Sequence, residues 1–302
     1  MSTEPENSPP SPETTRMSEG LSVTALYTAH AWAWAKFPYA ELFSSDQTKG
    51  VFNVTNFALG VMRLFRWGLP RLPEGLAQRH TLIDQLSGET LPEVVIELAA
   101  GLSTRGLRLI ADPSLPLKRF IEVDLPHVIS FKRQHYAGEN APHYPKNLLS
   151  KEIDLKELNQ EQLVEWLDED QDRSHQKPSP VVIAEGILMY FNEEEVETLL
   201  SVISSLLQSR GGRLIFDWVP TVEQPKPGIL GRLLGSMMRF FTRGGDFHRD
   251  ERTRADMLRL LEKLNATACE AIDTSSIAHT RALPFPTAHT QQVIFVADWT
   301  RP

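Results

Sequence analysis

The stretch VVIELAAGLSTRG (residues 94–106) decides the fold class of this chain. A continuous apolar run leads directly into the small residues Ala99, Ala100 and Gly101, as at the turn between a buried strand and a helix. Further runs rich in Val and Ile alternate with helical stretches: RFIEVD (119–124), NLLSKEID (147–154), VVIAEG (181–186), RLIFDWV (213–219) and QVIFVADW (292–299). This pattern predicts an α/β fold with a doubly wound, mainly parallel sheet that is covered on both faces.

The composition and the hydropathy pattern of the chain predict three further regions. Residues 1–18 are mostly Pro, Ser, Glu and Thr and predict a disordered tail. Residues 19–90 are aromatic and helical in pattern, so we expect an N-terminal helical cap before a core at 91–302. Residues 220–264 form an insertion after the fifth strand that contains ILGRLLGSMMRFF (229–241). We expect it to act as a lid over a substrate pocket, with plain packing or a membrane-surface helix as alternatives.

The amino-acid composition argues against some classes of binding partner. The 302 residues include 31 Lys plus Arg and 39 Asp plus Glu, which gives a formal net charge of −8 and argues against nucleic acid or an anionic membrane as partner. The single cysteine, Cys269, cannot form an intramolecular disulfide. No uncharged apolar run approaches the roughly 18 residues of a membrane-spanning helix, and the N-terminus lacks the pattern of a secretory signal. We therefore expect a cytoplasmic protein.

Two acids follow the glycine turn at a distance that suits a nucleoside. Glu122 and Asp124 end the second predicted strand, 21 and 23 residues after Gly101. In doubly wound folds an acid at this place binds the hydroxyl groups of a ribose. Asp124 is the better candidate because it lies closer to the end of the strand.

Several cofactors and chemistries are disfavoured by the same residues. A phosphate-binding loop would need Lys and Ser or Thr where Leu107 and Arg108 stand, and Arg105 interrupts a nucleophile elbow. The nine histidines show no ligand spacing, so we predict no metal site. A dinucleotide site would favour glycine in place of Ala99, and the acid Glu97 suits a cationic sulfonium better than a pyrophosphate. The residues thus favour S-adenosyl-L-methionine over NAD.

Four motifs in order resemble those of one family. LAQRHTLIDQL (76–86), ELAAGLSTRG (97–106), RFIEVDLP (119–126) and VVIAEGILMYF (181–191) are similar to motifs of the leucine carboxyl methyltransferase superfamily. SVTALYTAHAWAW (22–34) more loosely resembles the aromatic N-terminal segment of its bacterial tetracenomycin polyketide O-methyltransferase-like branch. The resemblance covers roughly residues 22–299. It implies a class I, Rossmann-like methyltransferase with a seven-stranded sheet.

The resemblance also implies roles for individual residues toward the cofactor. Arg79 would pair with the carboxylate of its methionine moiety, and Gly101 with its neighbours Glu97 and Ala99 would pass beneath that moiety. Asp124 would hold the ribose. Asp154 and Leu155 would flank the adenine, and Glu185 would lie near the ammonium group and the transferring methyl. Surface pairing of Arg79 and helix capping by Asp154 are the structural alternatives.

The expected reaction is methyl transfer to an oxygen of a small, polyketide-like molecule in secondary metabolism. A carboxylate acceptor needs no base, whereas a hydroxyl gains from one. The weak candidates for a base are His30, Tyr190 and Asp217. A protein carboxyl methyltransferase, an NAD-dependent oxidoreductase and a non-catalytic cofactor-binding module are the alternatives.

Overall fold

Among the described residues, three helices precede the sheet. The computed structural model describes residues 21–65, 71–137, 144–169, 178–220, 222–223, 250–288 and 290–301. Within these ranges the first helices are α1 (Val23–Trp34), α2 (Asp46–Phe65) and α3 (Leu72–Gly88), with a 3-10 turn at Ala40–Phe43. Leu26, Phe43 and Ile83 from this region share one core with Val95 of the first strand. The N-terminal helices therefore pack onto the sheet.

Seven strands form one sheet: β1 (Val94–Leu98), β2 (Arg119–Asp124), β3 (Leu148–Glu152), β4 (Val181–Ala184), β5 (Gly212–Trp218), β6 (Ala268–Asp273) and β7 (Val293–Trp299). Their order across the sheet is β3-β2-β1-β4-β5-β7-β6. Strands β1 to β5 are mutually parallel, and β7 runs antiparallel to both β5 and β6. The prediction of a doubly wound, mainly parallel sheet is thus confirmed.

Helices cover both faces of this sheet. Alternate residues of β1 belong to different cores: Val94 and Ile96 pack into one, and Val95 into the other. The helix Glu193–Arg210, which connects β4 to β5, has its bounds set by the sequence: Asn192 caps its start, and Gly211, at φ 70°, ends it. The helices after β1 are α4 (Arg105–Ile110), α5 (Pro126–Tyr136), α6 (Gln160–Asp168), α7 (Glu193–Arg210), α8 (Arg254–Lys263) and α9 (Thr274–Ile277), with 3-10 turns at Leu155–Glu157 and Leu188–Tyr190.

The β6 strand lies in a stretch for which the apolar pattern predicts no strand. It is an edge strand that pairs with β7, and all its residues are exposed or half-buried. An edge strand with little buried surface needs no continuous apolar run. The β6 strand therefore lacks the apolar run from which the buried parallel strands are predicted.

The predicted lid is described in part. Of residues 220–264 the structure describes 220, 222–223 and 250–264, which include α8. The apolar segment 229–241, on which the lid prediction depends, lies outside the described residues, as does the predicted tail at 1–18. Among the helices that are described, none combines the length and the apolar character needed to cross a bilayer.

The sheet order places one crevice at its centre. The chain passes from β1 to β2 on one side and from β4 to β5 on the other, although β1 and β4 are neighbours. In open α/β sheets, ligands bind outside the carboxyl ends of the strands at such a switch point. Glu97, Asp124 and Asp217 lie in the last two positions of β1, β2 and β5, and Glu185 directly follows β4.

Candidate cofactor-binding site

Asp124, the last residue of β2, is bound to the turn that follows β1. The Gly101 N–H donates to Asp124 Oδ2 at 2.7 Å, and the Leu125 N–H donates to Oδ1 at 2.7 Å. Burial raises the pKa of Asp124 against these two hydrogen bonds. The carboxylate therefore has a fixed orientation, and each oxygen retains a lone pair for a further donor.

The backbone after β1 is left-handed at two positions. Ala99 has φ 52° and Gly101 has φ 50°. This conformation costs an alanine about 1–2 kcal/mol, and such strain clusters at ligand-binding turns. A Cβ on Gly101 would meet no atom nearer than Ala99 O at 3.9 Å. The turn thus leaves open space beside its backbone, which fits the close approach of a cofactor.

Gly106 has a different role from Gly101. A Cβ at Gly106 would lie 2.6 Å from Leu148 Cδ1 and 2.9 Å from Phe120 Cδ1. The absent side chain allows α4 to approach β2 and β3 closely. Gly106 therefore serves packing between the helix and the sheet.

Arg79 extends from α3 to the carboxyl ends of β4 and β5. Its Nε donates to Glu185 Oε1 at 2.7 Å, and its Nη1 donates to Asp217 Oδ2 at 2.9 Å. Burial by itself lowers the pKa of Arg79, but Asp217 and Glu185 raise it above its ordinary value. Nη2 donates to no described atom and is not fully enclosed. One edge of the guanidinium is thus left for an anionic ligand.

Glu185 accepts hydrogen bonds from inside the protein. Besides Arg79, Arg105 donates from Nη2 to Glu185 Oε2 at 2.5 Å, and His80 Nδ1 lies 2.9 Å from the same oxygen. Burial raises the pKa of Glu185, yet the surrounding charges, Arg79 and Arg105 among them, lower it well below the ordinary value. These internal partners account for a charge within an apolar run, so burial alone does not identify a ligand contact here.

His80 is neutral and oriented by its neighbours. Both ring nitrogens lie beside a guanidinium donor: Nε2 is 2.6 Å from Arg108 Nη2, and Nδ1 is 2.8 Å from Arg105 Nη2. Nδ1 also lies 2.9 Å from Glu185 Oε2. Burial and the charge of Arg105 lower the pKa of His80 to about 4. The ring of Trp32 from α1 stacks on His80 with centroids 4.3 Å apart.

Glu97 is the least neutralised acid of the site. Arg105 Nη1 donates to Glu97 Oε1, whereas the buried Oε2 accepts no hydrogen bond from a described residue. Glu97 is 2% exposed, and burial raises its pKa to about 7 although Arg105 and Lys132 oppose the shift. One oxygen of this buried carboxylate therefore has no donor among the described residues, and its contact with the cofactor remains a prediction.

Sequence reasoning identifies half of this arrangement. We call the following eight residues the buried charge cluster: Arg79, His80, Asp84, Glu97, Arg105, Arg108, Glu185 and Asp217. His80, Asp84, Arg105 and Arg108 were not predicted to belong to the site. Their signal is spacing: His80 and Asp84 stand at i and i+4 on α3, and the two arginines at i and i+3 on α4. Arg105 Nε donates to Asp84 Oδ1 at 2.5 Å.

Asp154 and Leu155 lie beside the β2 end. The Ile153 N–H donates to Asp124 O at 2.9 Å, which holds this segment next to the site. Asp154 caps the 3-10 turn and accepts from the Lys156 N–H at 3.0 Å. Asp154 thus has the capping role named as the structural alternative, and its contact with adenine remains a prediction.

The three candidate bases all have internal partners. His30 Nδ1 lies 3.0 Å from Ser44 Oγ, and burial lowers the pKa of His30. Tyr190 is hydrogen-bonded to Thr24, and burial raises its pKa. Asp217 accepts from Arg79 and from the Gly186 N–H, the latter at 2.5 Å. Asp217 is therefore engaged by two donors.

A sheet with this strand order and a glycine turn bound to the acid of β2 define a methyltransferase-type α/β protein. The leucine carboxyl methyltransferase family matches residues 24–204, more than half of the chain. The chain belongs to this family. The resemblance seen in the sequence motifs is thus confirmed, and the predicted cofactor, S-adenosyl-L-methionine, agrees with the family.

Two curated relatives carry provisional names as S-adenosyl-L-methionine-dependent methyltransferases. One, from Parafrankia sp. (strain EAN1pec), is 36% identical over 125 residues, which is 41% of this chain and 36% of the relative. The other, from Mycolicibacterium gilvum (strain PYR-GCK), is 32% identical over 160 residues, which is 52% of this chain and 48% of the relative. The matches therefore span less than half the length of either relative.

Two solved structures are similar in fold. A provisionally named methyltransferase from Thermobifida fusca has a TM-score of 0.55 at 14% identity, covering 92% of this chain and 95% of that one. A DUF574 family protein from Streptomyces avermitilis has a TM-score of 0.54 at 12% identity, covering 94% and 100%. At these identities the likeness concerns the fold alone.

Proposed function

We propose that this protein is an S-adenosyl-L-methionine-dependent O-methyltransferase that acts on a carboxylate or hydroxyl of a small, polyketide-like molecule. The observation that carries the proposal is the pairing of two features at one sheet edge. Asp124 is oriented by Gly101 beside an open turn, and Arg79 presents an unpaired guanidinium edge. Together they suit the two ends of S-adenosyl-L-methionine, which are its ribose and the carboxylate of its methionine moiety.

In the proposed site each residue has one task. Asp124 accepts from the ribose hydroxyls, and Gly101 with Ala99 leaves room for the chain of the methionine moiety. Arg79 binds the carboxylate of that moiety through Nη2, the guanidinium nitrogen without an acceptor among the described residues. Glu185 faces the ammonium group, for which Oε1 retains a lone pair beside the Arg79 hydrogen bond.

Glu97, whose burial raises its pKa to about 7, contributes negative charge beneath the same moiety in its ionised form, and Asp154 and Leu155 flank the adenine. Leu155 is 8% exposed and offers an apolar contact, and Asp154 offers a polar one. This division suits a base with one apolar face and a polar edge.

The bound cofactor supplies an electrophilic methyl group on a sulfonium. The protein then has to align an acceptor oxygen with this methyl, which can contribute up to roughly 7–11 kcal/mol. A carboxylate acceptor is already anionic at neutral pH and needs no base. The internal partners of His30, Tyr190 and Asp217 favour such an acceptor over a hydroxyl.

The N-terminal aromatic residues favour an apolar acceptor. The hydrogen bond between Thr24 and Tyr190 holds α1 against the segment that follows Glu185. Trp34 of α1 is 39% exposed and stacks on Phe285 at 5.1 Å, while Gln78, next to Arg79, donates to Phe285 O at 2.6 Å. A half-exposed aromatic pair held against α3 suits a planar, apolar substrate.

The wider assignments are proposals as well. We place the protein in the cytoplasm and in secondary metabolism, without a nucleic-acid partner. We divide it into a tail (1–18), a helical cap (19–90) and a methyltransferase core (91–302) with a lid at 220–264.

Two measurements test the proposed activity. Calorimetry should detect binding of S-adenosylhomocysteine and not of NAD; the reverse result would identify an oxidoreductase. Incubation with methyl-labelled cofactor and fractionated cell extract should then label a small molecule. Label in protein would indicate a protein carboxyl methyltransferase, and binding without any labelled acceptor would indicate a non-catalytic module.

A further inference from the structure

Asp217 joins three elements at the carboxyl edge of the sheet. It lies in β5, and its two oxygens have different donors: Oδ2 accepts from Arg79 Nη1 at 2.9 Å, and Oδ1 accepts from the Gly186 N–H at 2.5 Å. Arg79 comes from α3, and Gly186 belongs to the turn after β4. The carboxylate is 1% exposed, so solvent does not replace either donor.

The turn at Gly186 lies against the same arginine. Gly186 has φ 70°, and a Cβ there would stand 3.3 Å from Arg79 Nη2. The unpaired edge of Arg79 is therefore bounded by the Gly186 turn, while Asp217 holds both of them. Asp217 sets the distance between the guanidinium and this turn.

Glu185, the other acidic partner of Arg79, also binds Arg105. Glu185 accepts from Arg105 as well as from Arg79, whereas Asp217 has Arg79 as its only charged partner among the described residues. Rotation of the guanidinium about its Nε–Glu185 hydrogen bond would move Nη2. The hydrogen bond to Asp217 prevents this rotation because it fixes a second point of the planar group.

We infer that Asp217 is a positioning residue that aims the free edge of Arg79 at the carboxylate of the cofactor's methionine moiety. This inference rests on the proposed function, and it replaces the role of base considered for Asp217 above. A base would act on the acceptor, whereas a positioning residue of this kind acts on cofactor affinity through Arg79.

Two ligands separate this role from general support of the sheet edge. S-adenosylhomocysteine contains the amino acid end that Arg79 would bind, and 5′-methylthioadenosine contains the same adenosine and sulfur without it. Asp217→Asn should weaken S-adenosylhomocysteine by about 10- to 100-fold in calorimetry, the range for a buried hydrogen bond to a charged group. Binding of 5′-methylthioadenosine should change less than about threefold.

A double-mutant cycle tests whether Asp217 acts through Arg79. In an Arg79→Ala background, Asp217→Asn should cause no further loss of S-adenosylhomocysteine affinity, because the group that it positions is gone. Independent, additive losses would overturn the inference. So would an equal loss for both ligands, which would make Asp217 a structural support.

The matched control is Asp298→Asn. Asp298 pairs with Arg213 Nε at 2.7 Å across β5 and β7, at the opposite end of β5 from Asp217. The Asp298→Asn substitution should leave the affinities for both ligands unchanged.

If Asp217→Asn does not fold, Gly186→Ala provides a second test. It displaces Arg79 without removing a charge and should show the same selective loss of S-adenosylhomocysteine affinity. Gly186→Ala with unchanged S-adenosylhomocysteine affinity would contradict the inference. A wild-type protein that binds neither ligand overturns the proposed function, and the inference with it.

Discussion

Replacement of Glu97 by Gln should make the protein more stable at pH 8 than the wild type, and hardly change its stability at pH 4.5. Glu97 lies inside β1 at 2% exposure, with Arg105 on Oε1 and no described donor on Oε2. The three guanidinium groups of the buried charge cluster are already balanced by Asp84, Glu185 and Asp217. Ionisation of Glu97 therefore adds an uncompensated negative charge.

The size of the effect follows from the pKa of Glu97. Burial raises this pKa from 4.5 to about 7. The folded protein then retains a proton that the unfolded chain releases, so the free energy of unfolding falls as pH rises from 4.5 to about 7. At about 1.4 kcal/mol for each pKa unit, the loss is on the order of 3 kcal/mol. Gln cannot ionise, so the Glu97→Gln variant does not lose this free energy of unfolding.

Urea unfolding of both proteins between pH 4.5 and 8 measures this difference. His80, whose pKa is lowered to about 4 by burial and by Arg105, adds an opposite trend below pH 6.5. That trend is common to both proteins and cancels in the comparison. Glu93→Gln is the control, because Glu93 is half exposed and pairs only with the exposed Lys118 among the described residues. A difference between wild type and Glu97→Gln that stays constant to within about 0.5 kcal/mol across this range would refute the reasoning.

Four further substitutions have expected outcomes. Asp124→Ala should weaken S-adenosylhomocysteine binding by about 1–3 kcal/mol in calorimetry, and an unchanged Kd would contradict the ribose contact. Gly106→Ala should lower the free energy of unfolding by about 1–3 kcal/mol, since its Cβ would lie 2.6 Å from Leu148 Cδ1. Gly60→Ala, whose Cβ would meet nothing within 4 Å in α2, should instead raise it by about 0.5–1 kcal/mol; a shift in the same direction would contradict the packing argument. Glu185→Gln should cost about 3–5 kcal/mol in chemical unfolding, because it leaves Arg79 and Arg105 without their common carboxylate, and unaltered stability would show that the cluster does not hold this part of the fold.

The role of a residue could be predicted from the sequence where it depends on residues nearby in the chain, and not where it depends on contacts with distant residues. Gly101 and Asp124 were predicted because a glycine turn and an acid at the end of the next strand are short patterns with one geometric reason. Gly106 lies in the same stretch of sequence as Gly101, but only the atoms of Phe120 and Leu148 reveal that it serves packing. For Asp154 the capping alternative is confirmed by its hydrogen bond to the Lys156 N–H, a contact two residues away.

The sequence by itself determined the buried strands and the helices that alternate with them, the doubly wound sheet and the family, since these depend on apolar periodicity and on turns within a few residues. The exposed edge strand β6 was found only in the structure. Only the tertiary structure decided the partners of the buried charges. Arg79 lies 106 residues from Glu185 and 138 from Asp217 along the chain, and no periodicity relates them. A buried charge must find an opposite charge wherever the packing of helix on sheet places one, and that placement exists only after the chain has folded.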